Sequence, residues 1–359
     1  MISIIIPTYN RAKNLKENLY RLISYISNPG EIEIIIIDNG SSDNTFEVVE
    51  KIIKFHSENI IKYIFDSEPG LLTGRHRGYN ESSGSILAFI DDDILVSETW
   101  LIFLQNLKDH YLDFGFFTGP NLPFYNCYPP DWLKYFWKKN NHGIECSWLS
   151  LLDFGTISKE IPLNYIFGLN FIVRRDVFKA VGGFNPDNIS PEFQQFQGDG
   201  ETGLTIRASL LGFKAFYDAR LLVMHQITCE RLTKNYFGKR AYYQGVCDSF
   251  TSLKRQYKFE NKISYFNSNS TNNLRNEKLK SWLFDKFLFT FIIDILKKYS
   301  ILKEVVIYLM YLHILNYTKK QYDSGFRFHQ NAFYTNSLVR KWVLLDNYWE
   351  YKLPVKEKD

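Results

Sequence analysis

A short apolar run that ends in three consecutive carboxylates limits most strongly what this chain can fold into. Residues 85–93 read Ser-Ile-Leu-Ala-Phe-Ile-Asp-Asp-Asp, and Gly84 precedes them. A short, continuous apolar run is typical of a strand buried on both faces of a parallel sheet. Open α/β sheets bind ligands at the carboxyl ends of their strands, where these acids stand. Carboxylates this close repel one another, so the pattern favours a site for a divalent cation over a solvated turn.

The first hundred residues alternate between apolar runs and amphipathic stretches. The apolar runs lie at residues 2–6, 32–37, 60–65 and 86–90. They predict four strands, and the stretches between them carry apolar residues at helical spacing. Strands that alternate with helices through short connections form a parallel, doubly wound α/β sheet. Asp38 and Asp91 each follow one of these strands, so we expect both to lie at one edge of the sheet.

Other nucleotide-binding α/β classes fit the sequence less well. A dinucleotide-binding Rossmann domain needs Gly-x-Gly-x-x-Gly after its first strand, where residues 7–11 read Pro-Thr-Tyr-Asn-Arg. The sequence has no P-loop, and it lacks the Gly-rich N-terminal loop with Arg and Lys that a sugar nucleotidyltransferase would show. A sugar nucleotidyltransferase stays open as a weaker alternative. So does a non-catalytic scaffold that keeps such a fold and binds through its C-terminal helices.

Four motifs together resemble those of family 2 glycosyltransferases of the GT-A fold. They are residues 4–11 (Ile-Ile-Ile-Pro-Thr-Tyr-Asn-Arg), 37–43 (Ile-Asp-Asn-Gly-Ser-Ser-Asp), 74–78 (Gly-Arg-His-Arg-Gly) and 89–93 (Phe-Ile-Asp-Asp-Asp). Their order is also that of the family, and the resemblance extends to about residue 225. It implies a Rossmann-like GT-A domain that inverts the anomeric centre while moving a sugar from a nucleoside diphosphate to a hydroxyl acceptor.

The resemblance also implies which residues hold the donor, a sugar linked to UDP, GDP or dTDP. The acceptor would be a carbohydrate or a lipid-linked molecule, in glycan or polysaccharide assembly. Asp38 has a second interpretation, since an Asp before Ser41 can cap a turn. The donor-binding residues that the resemblance implies are Pro7, Thr8, Tyr9, Arg11, Asp38, Asn39, Arg75, Asp91 and Asp92.

The family's Asp-x-Asp motif corresponds to Asp91 and Asp93, which are predicted to bind Mg²⁺ or Mn²⁺. A diphosphate leaves readily when a hard cation bridges it, and such cations prefer carboxylate and phosphate oxygens. His225 ends a short strand that the sequence predicts over residues 221–225, and it stands where several GT-A enzymes have a third metal ligand. A lone His in that position is also often a structural residue.

The catalytic base is expected in residues 198–201, Gly-Asp-Gly-Glu, before a helix that contains Leu204. Aligned on Leu204, Glu201 takes the place of the family's base, although the family has Asp there. Asp199 is the competing acid, and its two neighbouring glycines predict that it is held less firmly. Both acids could instead serve only to favour a helix N-terminus.

Residues 121–165 form a long segment rich in aromatic residues, which include Trp132, Phe136 and Trp148. Such a segment could stack on acceptor sugars, or it could cover the edge of the sheet as a hydrophobic flap. The sequence leaves both interpretations open.

Composition changes near residue 230, so we expect a catalytic domain at 1–230 and a mainly helical extension at 231–359. Residues 261–280 resemble a linker, and 282–296 and 305–315 are apolar stretches flanked by Lys and Arg. They predict helices that pack on the catalytic domain, with a homo-oligomer interface or membrane-surface contact as alternatives.

Charge and cysteine content exclude some partners and sites. The net charge is +4 without a dense Lys/Arg block, which argues against nucleic acid. Cys127, Cys146, Cys229 and Cys247 form no Cys-x-x-Cys pair and are predicted to be free thiols of a reducing compartment. The sequence shows no signal peptide and no apolar run of about 18 residues. We therefore expect a cytoplasmic protein, with contact at the inner face of a membrane as an alternative.

Overall fold

Strands and helices alternate through the first hundred residues, as the hydrophobic pattern predicts. The computed structural model describes residues 1–56, 60–68, 70–107, 111–258 and 300–349. In chain order the elements are β1 (Ile2–Thr8), α1 (Ala12–Ser24), β2 (Ile32–Asp38), α2 (Thr45–Phe55), β3 (Ile61–Phe65), α3 (Leu71–Glu81), β4 (Ile86–Ile90), β5 (Ile94–Val96) and α4 (Glu98–Asn106). The parallel strands lie in the order β3-β2-β1-β4, with Ile2 opposite both Ile32 and Ile86.

The following elements are shorter and complete two sheets. They are β6 (Phe116–Thr118), β7 (Asn121–Tyr125), β8 (Lys138–Lys139), β9 (Ile144–Cys146), β10 (Leu151–Asp153), β11 (Lys159–Ile161), β12 (Asn170–Arg174), α5 (Arg175–Ala180), α6 (Glu201–Leu210), β13 (Ala215–Tyr217) and β14 (Val223–Ile227). The first sheet has the order β11-β13-β6-β12-β4-β1-β2-β3, and β12 pairs antiparallel with β4. The second sheet has the order β5-β14-β7-β10-β9-β8.

Each face of the first sheet is buried in its own hydrophobic core, because side chains alternate between the faces along a strand. Ile4 and Ile6 of β1 belong to one core, together with Leu15 of α1 and Trp100 of α4. Ile5 belongs to the other core, which also contains side chains of α3, α5 and α6. A doubly wound sheet therefore places its strand ends, and not its faces, at the surface where a ligand can enter.

The segment 121–165 is more regular than its sequence suggests. It contains β7 to β11, and β7 and β10 pair in the second sheet. Trp132 and Phe136 are 6% and 3% exposed, and they pack against Phe237 in a third hydrophobic cluster. Of the two interpretations of these rings, the hydrophobic cover is the one that their burial supports.

The C-terminal region is helical where the structure describes it. Its helices are α7 (Lys234–Lys258), α8 (Ser300–Thr335) and α9 (Ser337–Val343). The predicted linker at 261–280 and the apolar stretch at 282–296 lie outside the described residues. Gly245 of α7 faces the carbonyl of Tyr322 so closely that no Cβ would fit, and Gly325 of α8 faces that of Tyr242 in the same way. The two helix backbones therefore touch.

Residues 342–349 pack on α3 and on the helical turn that ends at Phe196. Trp342 donates a hydrogen bond from Nε1 to the carbonyl of Phe196 at 2.7 Å. The ring of Trp349 stacks on His76 of α3 with 4.4 Å between centroids. His76 is buried, with Nδ1 against the carbonyl of Tyr348 and Nε2 accepting from the Phe184 amide. Residues after α9 thus support the helix that carries Arg75.

A disulfide corrects the prediction of four free thiols. Cys127, just after β7, is bonded to Cys229, just after β14, with 5.7 Å between their Cα atoms. β7 and β14 pair in parallel, so their ends bring together two cysteines that are 102 residues apart. Sequence spacing could not show this pair, while Cys146 and Cys247 are free as expected. Among the described helices, none has the length and hydropathy needed to cross a membrane.

Candidate functional site

The three consecutive acids lie at the carboxyl end of β4, as the sequence predicts. Asp91 is the most accessible, with 32% of its side chain exposed. Asp92 and Asp93 are each 4% exposed. A buried carboxylate needs charged or hydrogen-bonding partners, and each of the three has them.

Asp92 is held by the loop after β1. Thr8 donates from Oγ1 to Asp92 Oδ2 at 2.8 Å, and Arg11 donates from Nη1 to Asp92 Oδ1 at 2.7 Å. The same Arg11 atom lies 2.9 Å from Asp93 Oδ2. Burial raises the pKa of Asp92 to about 7, against the opposing charge of Arg11. Hydrogen bonds therefore hold the motif at residues 4–11 against the motif at residues 89–93.

Asp93 faces His225 and Arg231. Arg231 donates from Nη2 to Asp93 Oδ2 at 2.7 Å, and its Nη1 contacts His225 Nε2. His225 Nε2 lies 3.8 Å from Asp93 Oδ1. Although burial opposes it, the neighbouring His225, Arg231 and Arg11 lower the pKa of Asp93 below its ordinary value. His225 lies in the middle of β14, although the sequence pattern places it at the end of a strand.

These donors fit a divalent cation. Asp93 Oδ1 is buried and has no hydrogen-bond partner among the described residues. His225 Nδ1 lies 3.0 Å from the carbonyl of Leu149, a contact that leaves Nε2 as an acceptor. Arg231 Nη1 occupies this acceptor, so a cation at His225 would have to displace it. A carboxylate oxygen and an imidazole nitrogen suit Mg²⁺ or Mn²⁺, which take further oxygens from phosphates and water. No group of three or more His, Cys, Asp or Glu side chains in the described part of the chain forms a complete cation site.

Arg75 joins the acids of β4 to the start of α6. Its guanidinium is buried, with Nη2 3.2 Å from Asp91 Oδ1 and Nη1 3.9 Å from Glu201 Oε2. Nη2 also donates to the carbonyl of Gly168 at 3.1 Å. A Cβ at Gly168 would lie 2.6 Å from Nη2, so a larger residue there would require this guanidinium to shift. Asp91 and Glu201 therefore lie on two sides of one cation.

Glu201 is the first residue of α6, and its carboxylate is accessible. The side chain is 29% exposed, and Oε1 accepts from the Gly168 amide at 3.3 Å. Burial raises the pKa of Glu201, and the negative charge of Asp187 adds to this effect. A carboxylate with a raised pKa is a stronger base, which suits removal of a proton from a hydroxyl group.

Asp199 is held more firmly than its glycine neighbours suggest, so that prediction is wrong. Its Oδ1 accepts from Asn185 at 2.7 Å and its Oδ2 from Thr251 at 2.6 Å. The residue is 6% exposed, and burial raises its pKa. Both carboxylate oxygens are therefore engaged inside the protein, whereas the carboxylate of Glu201 is partly exposed.

The other predicted donor residues surround the same strand ends. Asp38 is buried and accepts from the Ser41 amide at 2.7 Å and from the Tyr63 hydroxyl at 2.6 Å. It therefore does cap its turn. Asn39 donates to the carbonyl of Glu68 at 3.3 Å and lies beside Gly74. Pro7 belongs to β1, and the side chain of Tyr9 is 59% exposed.

Sequence reasoning missed Arg231 and Asp187. Arg231 lies six residues after His225 in the helical turn Cys229–Leu232, and no motif marks it. Asp187 accepts from Gln197 at 2.9 Å, close to Gly200, in the loop that precedes Glu201. Its position after Gly-Gly-Phe-Asn-Pro was the available signal, since acids near a predicted base affect its pKa.

The sequence matches the profile described as glycosyl transferase family 2 over residues 3–182 of its 359. The chain belongs to this family. The resemblance that the four motifs indicate is therefore confirmed. The family match covers β1 to α5, and with them the whole Asp91–Asp93 region and Arg75.

Relatives in this family include a glycosyltransferase AglE from Haloferax volcanii. It is 35% identical over 100 residues, or 28% of this chain and 33% of that protein. A glucosyl-dolichyl phosphate glucuronosyltransferase from the same organism is 22% identical over 74% of this chain and 81% of its own length. A further relative is an uncharacterized glycosyltransferase of Mycoplasma genitalium. The chain spans less than half the length of this protein and of AglE.

A solved structure shows the same fold. It is the mannosyltransferase PcManGT from Pyrobaculum calidifontis, in complex with GDP-Man and Mn²⁺. The TM-score is 0.50 at 14% identity, and the superposition covers 97% of this chain and 84% of that protein. The predicted fold class, a GT-A α/β sheet with a helical C-terminal region, is confirmed.

Proposed function

We propose that this protein is a metal-dependent, inverting glycosyltransferase that moves a sugar from a nucleoside diphosphate to a hydroxyl group. The observation that carries this proposal is the position of Arg75 between Asp91 at 3.2 Å and Glu201 at 3.9 Å. Asp91 lies on the side proposed for the diphosphate, and Glu201 lies on the side proposed for the acceptor. Both acids thus face the same guanidinium, that of Arg75. Inversion needs these two functions on opposite sides of the anomeric carbon.

The donor would lie along the carboxyl ends of β1, β2 and β4. Arg75, Arg11 and Arg231 supply the positive charge that a diphosphate requires, and the loops around Tyr9 and Asn39 would hold the nucleoside. Asp91, Asp93 and His225 would hold Mg²⁺ or Mn²⁺, which stabilises the departing diphosphate when it is bound. Asp92 would act through Arg11, since both of its oxygens are already engaged.

Glu201 would remove the proton of the acceptor hydroxyl. A sugar hydroxyl is a weak nucleophile, so its proton must leave as the new bond forms. The carboxylate of Glu201 is accessible and its pKa is raised, while Arg75 and the Gly168 amide fix its direction. Asp199 would instead stabilise the loop before α6, because Asn185 and Thr251 occupy its oxygens.

The acceptor would be a carbohydrate or a lipid-linked molecule, and the donor base uracil, guanine or thymine. The name of one relative, a glucosyl-dolichyl phosphate glucuronosyltransferase, supports a lipid-linked sugar as acceptor. Residues 1–230 would form the catalytic domain and 231–359 the extension. Contact with a membrane surface and self-association through the extension belong to the same proposal, and flotation with anionic liposomes and light scattering test them.

A transfer assay with paired variants tests the proposed base. Glu201→Gln should lower turnover by roughly a hundredfold or more, the scale of losing a general base. Binding of UDP or GDP with Mn²⁺, followed by thermal shift, should barely change, because Arg75 keeps its contacts with Asp91 and the Gly168 carbonyl. Asp199→Asn should reduce turnover less and should lower the unfolding midpoint instead. If Asp199→Asn abolishes turnover in a stable protein and Glu201→Gln does not, the base is Asp199.

A further inference from the structure

A cavity of about 460 Å³, open to the surface, lies between the helical turn Pro191–Phe196, α7 and α8. Four aromatic rings line it, and polar side chains stand between them. Pockets for small ligands in proteins usually have volumes of ~300–1,000 Å³. The lining residues that matter here are Gln194, Lys239, Tyr242, Tyr243, Tyr317 and Phe328.

The rings are partly exposed and are held in place. Tyr242 lies 6.0 Å from Tyr243 and 6.1 Å from Phe328 between ring centroids. Lys239 Nζ lies 5.7 Å from the Tyr243 ring, and Lys234 Nζ lies 4.6 Å from that of Tyr317. The aromatic rings of 121–165 behave differently, since Trp132 and Phe136 are buried in a core.

Gln194 is a buried polar residue that lines this cavity. It is 6% exposed, and its Nε2 has no hydrogen-bond partner among the described residues. Leaving a buried donor without a partner destabilises the folded protein. A polar group kept at that cost beside a cavity indicates a ligand that offers oxygen atoms.

The cavity is connected to Glu201 through one loop and one helix. Gln194 belongs to the loop in which Gln197 bonds Asp187 at 2.9 Å, close to Gly200. On α7, Cys247 lies 2.9 Å from the carbonyl of Gly198, and Tyr243 is one helical turn away. A molecule whose end lies at Glu201 could therefore extend along this surface into the cavity.

We infer that the cavity binds a sugar ring of the acceptor, at a distance from the hydroxyl group that receives the new sugar. A pyranose has apolar faces that stack on aromatic rings and an edge of hydroxyl groups that bond amides and tyrosines. A lipid chain would fit an apolar lining, whereas this lining combines rings with Gln194, Lys239 and tyrosine hydroxyls. The inference rests on the proposed function, and it makes the acceptor a glycan.

Saturation-transfer NMR on the full chain tests this inference. The probes are the methyl glycosides of glucose, galactose, mannose and N-acetylglucosamine. At least one should receive saturation from the native protein. Phe328→Ala and Tyr317→Ala should bind it roughly tenfold more weakly, since each removes a ring on which the sugar would stack. Tyr334→Ala, an exposed ring on the same helix, is the matched control and should bind normally.

Gln194→Leu separates ligand binding from a structural role. It removes the unpaired amide, so the unfolding midpoint should rise while glycoside binding falls. Wild-type binding by this variant would overturn the role of Gln194 and the inference with it. Absence of saturation transfer for every glycoside would also overturn the inference. So would binding of decyl phosphate that the ring variants abolish, since that result would identify a lipid carrier.

Binding of UDP or GDP with Mn²⁺, measured on the same samples, keeps the two conclusions apart. Nucleotide binding without glycoside binding overturns the cavity inference alone. Glycoside binding that the ring variants abolish, without nucleotide binding, leaves a sugar site standing and overturns the proposed donor site. Nucleotide binding that is unchanged in all three cavity variants shows that they remain folded.

Discussion

The negative charge of Asp93 is balanced by basic side chains that lie close to its carboxylate. Three cationic or basic side chains surround it, and its buried Oδ1 has no hydrogen-bond partner in the part of the chain that the structure describes. A carboxylate in that position either binds a cation or depends wholly on its arginines. The two cases predict different behaviour when the charge is removed.

Asp93→Asn keeps the shape of the side chain and removes its charge. Mn²⁺ binding, followed by electron paramagnetic resonance, should weaken by at least tenfold, about 1.4 kcal/mol. Glycosyl transfer should nearly vanish while the circular dichroism spectrum stays the same. Asp113→Asn, at an exposed acid, is the control and should bind Mn²⁺ normally. Unchanged Mn²⁺ affinity and EDTA-sensitive activity in Asp93→Asn would show that Asp93 is not a ligand.

Lys254 offers a second prediction at this scale, in which pH decides the outcome. It is 6% exposed, its Nζ has no hydrogen-bond partner among the described residues, and burial lowers its pKa to about 7. In the unfolded chain the pKa is ordinary, so folding releases a proton between pH 7 and 10. The free energy cost of Lys254 is therefore complete below pH 7 and disappears as pH rises toward 10.

Lys254→Met should consequently stabilise the protein, and more so at pH 6 than at pH 10. Urea unfolding at the two pH values measures the effect. Lys51→Met, at an exposed position on α2, should change the free energy of unfolding little at either pH. Equal effects of Lys254→Met at both pH values would mean that the amine is charged throughout.

The sequence could place the acids of the site but not their partners. Asp91–Asp93 follow a buried strand, and strand ends of a parallel sheet meet at one edge, so their convergence with Asp38 is predictable. Arg231 reaches Asp93 across 138 residues of sequence, through a long side chain whose direction no pattern encodes. Asn185 and Thr251 hold Asp199 from two other segments, which is why its rigidity was missed.

At the scale of elements, burial decides how well sequence predicts boundaries. β4 covers residues 86–90, the predicted run, because both of its faces are buried and its pattern is uninterrupted. β14 covers Val223–Ile227, two residues beyond the prediction. Its extent depends on pairing with β5 and β7, and hydropathy within one segment carries no information about those partners.

Trp349 links the C-terminal elements to the site. Its ring stacks on His76, which neighbours Arg75 on α3, and it packs edge-on against Phe178. Trp349→Ala should lower the free energy of unfolding by roughly 1–3 kcal/mol, less than for a fully buried tryptophan. It should also weaken UDP or GDP binding, because α3 loses support. Tyr128→Ala, at an 88% exposed ring, is the control. Normal nucleotide binding by Trp349→Ala would limit the contact to stability.

At the scale of the whole molecule, the disulfide is a covalent link between distant segments. It closes a loop between Cys127 and Cys229, 102 residues apart in sequence. Links of this kind stabilise typically by about 2–4 kcal/mol, mainly because they restrict the unfolded chain. The two half-cystines also follow β7 and β14, the strands that position His225.

Reduction should therefore lower the free energy of unfolding by roughly 2–4 kcal/mol in urea titrations. Thiol titration of the denatured, unreduced protein should find two of the four cysteines, Cys146 and Cys247. The Cys127→Ser variant should unfold identically with and without reductant. Four titratable thiols in the unreduced protein would show that the bond does not form.

The contact between α7 and α8 restricts how this protein can be engineered. Gly245 faces a carbonyl of α8, and Gly325 faces a carbonyl of α7, so neither position has room for even one methyl group. A helix from a homologue would keep this close contact only if it had a glycine at the position that faces the carbonyl of the other helix. Recombination with a homologue therefore requires both helices to be exchanged together, with crossovers placed outside residues 234 and 335.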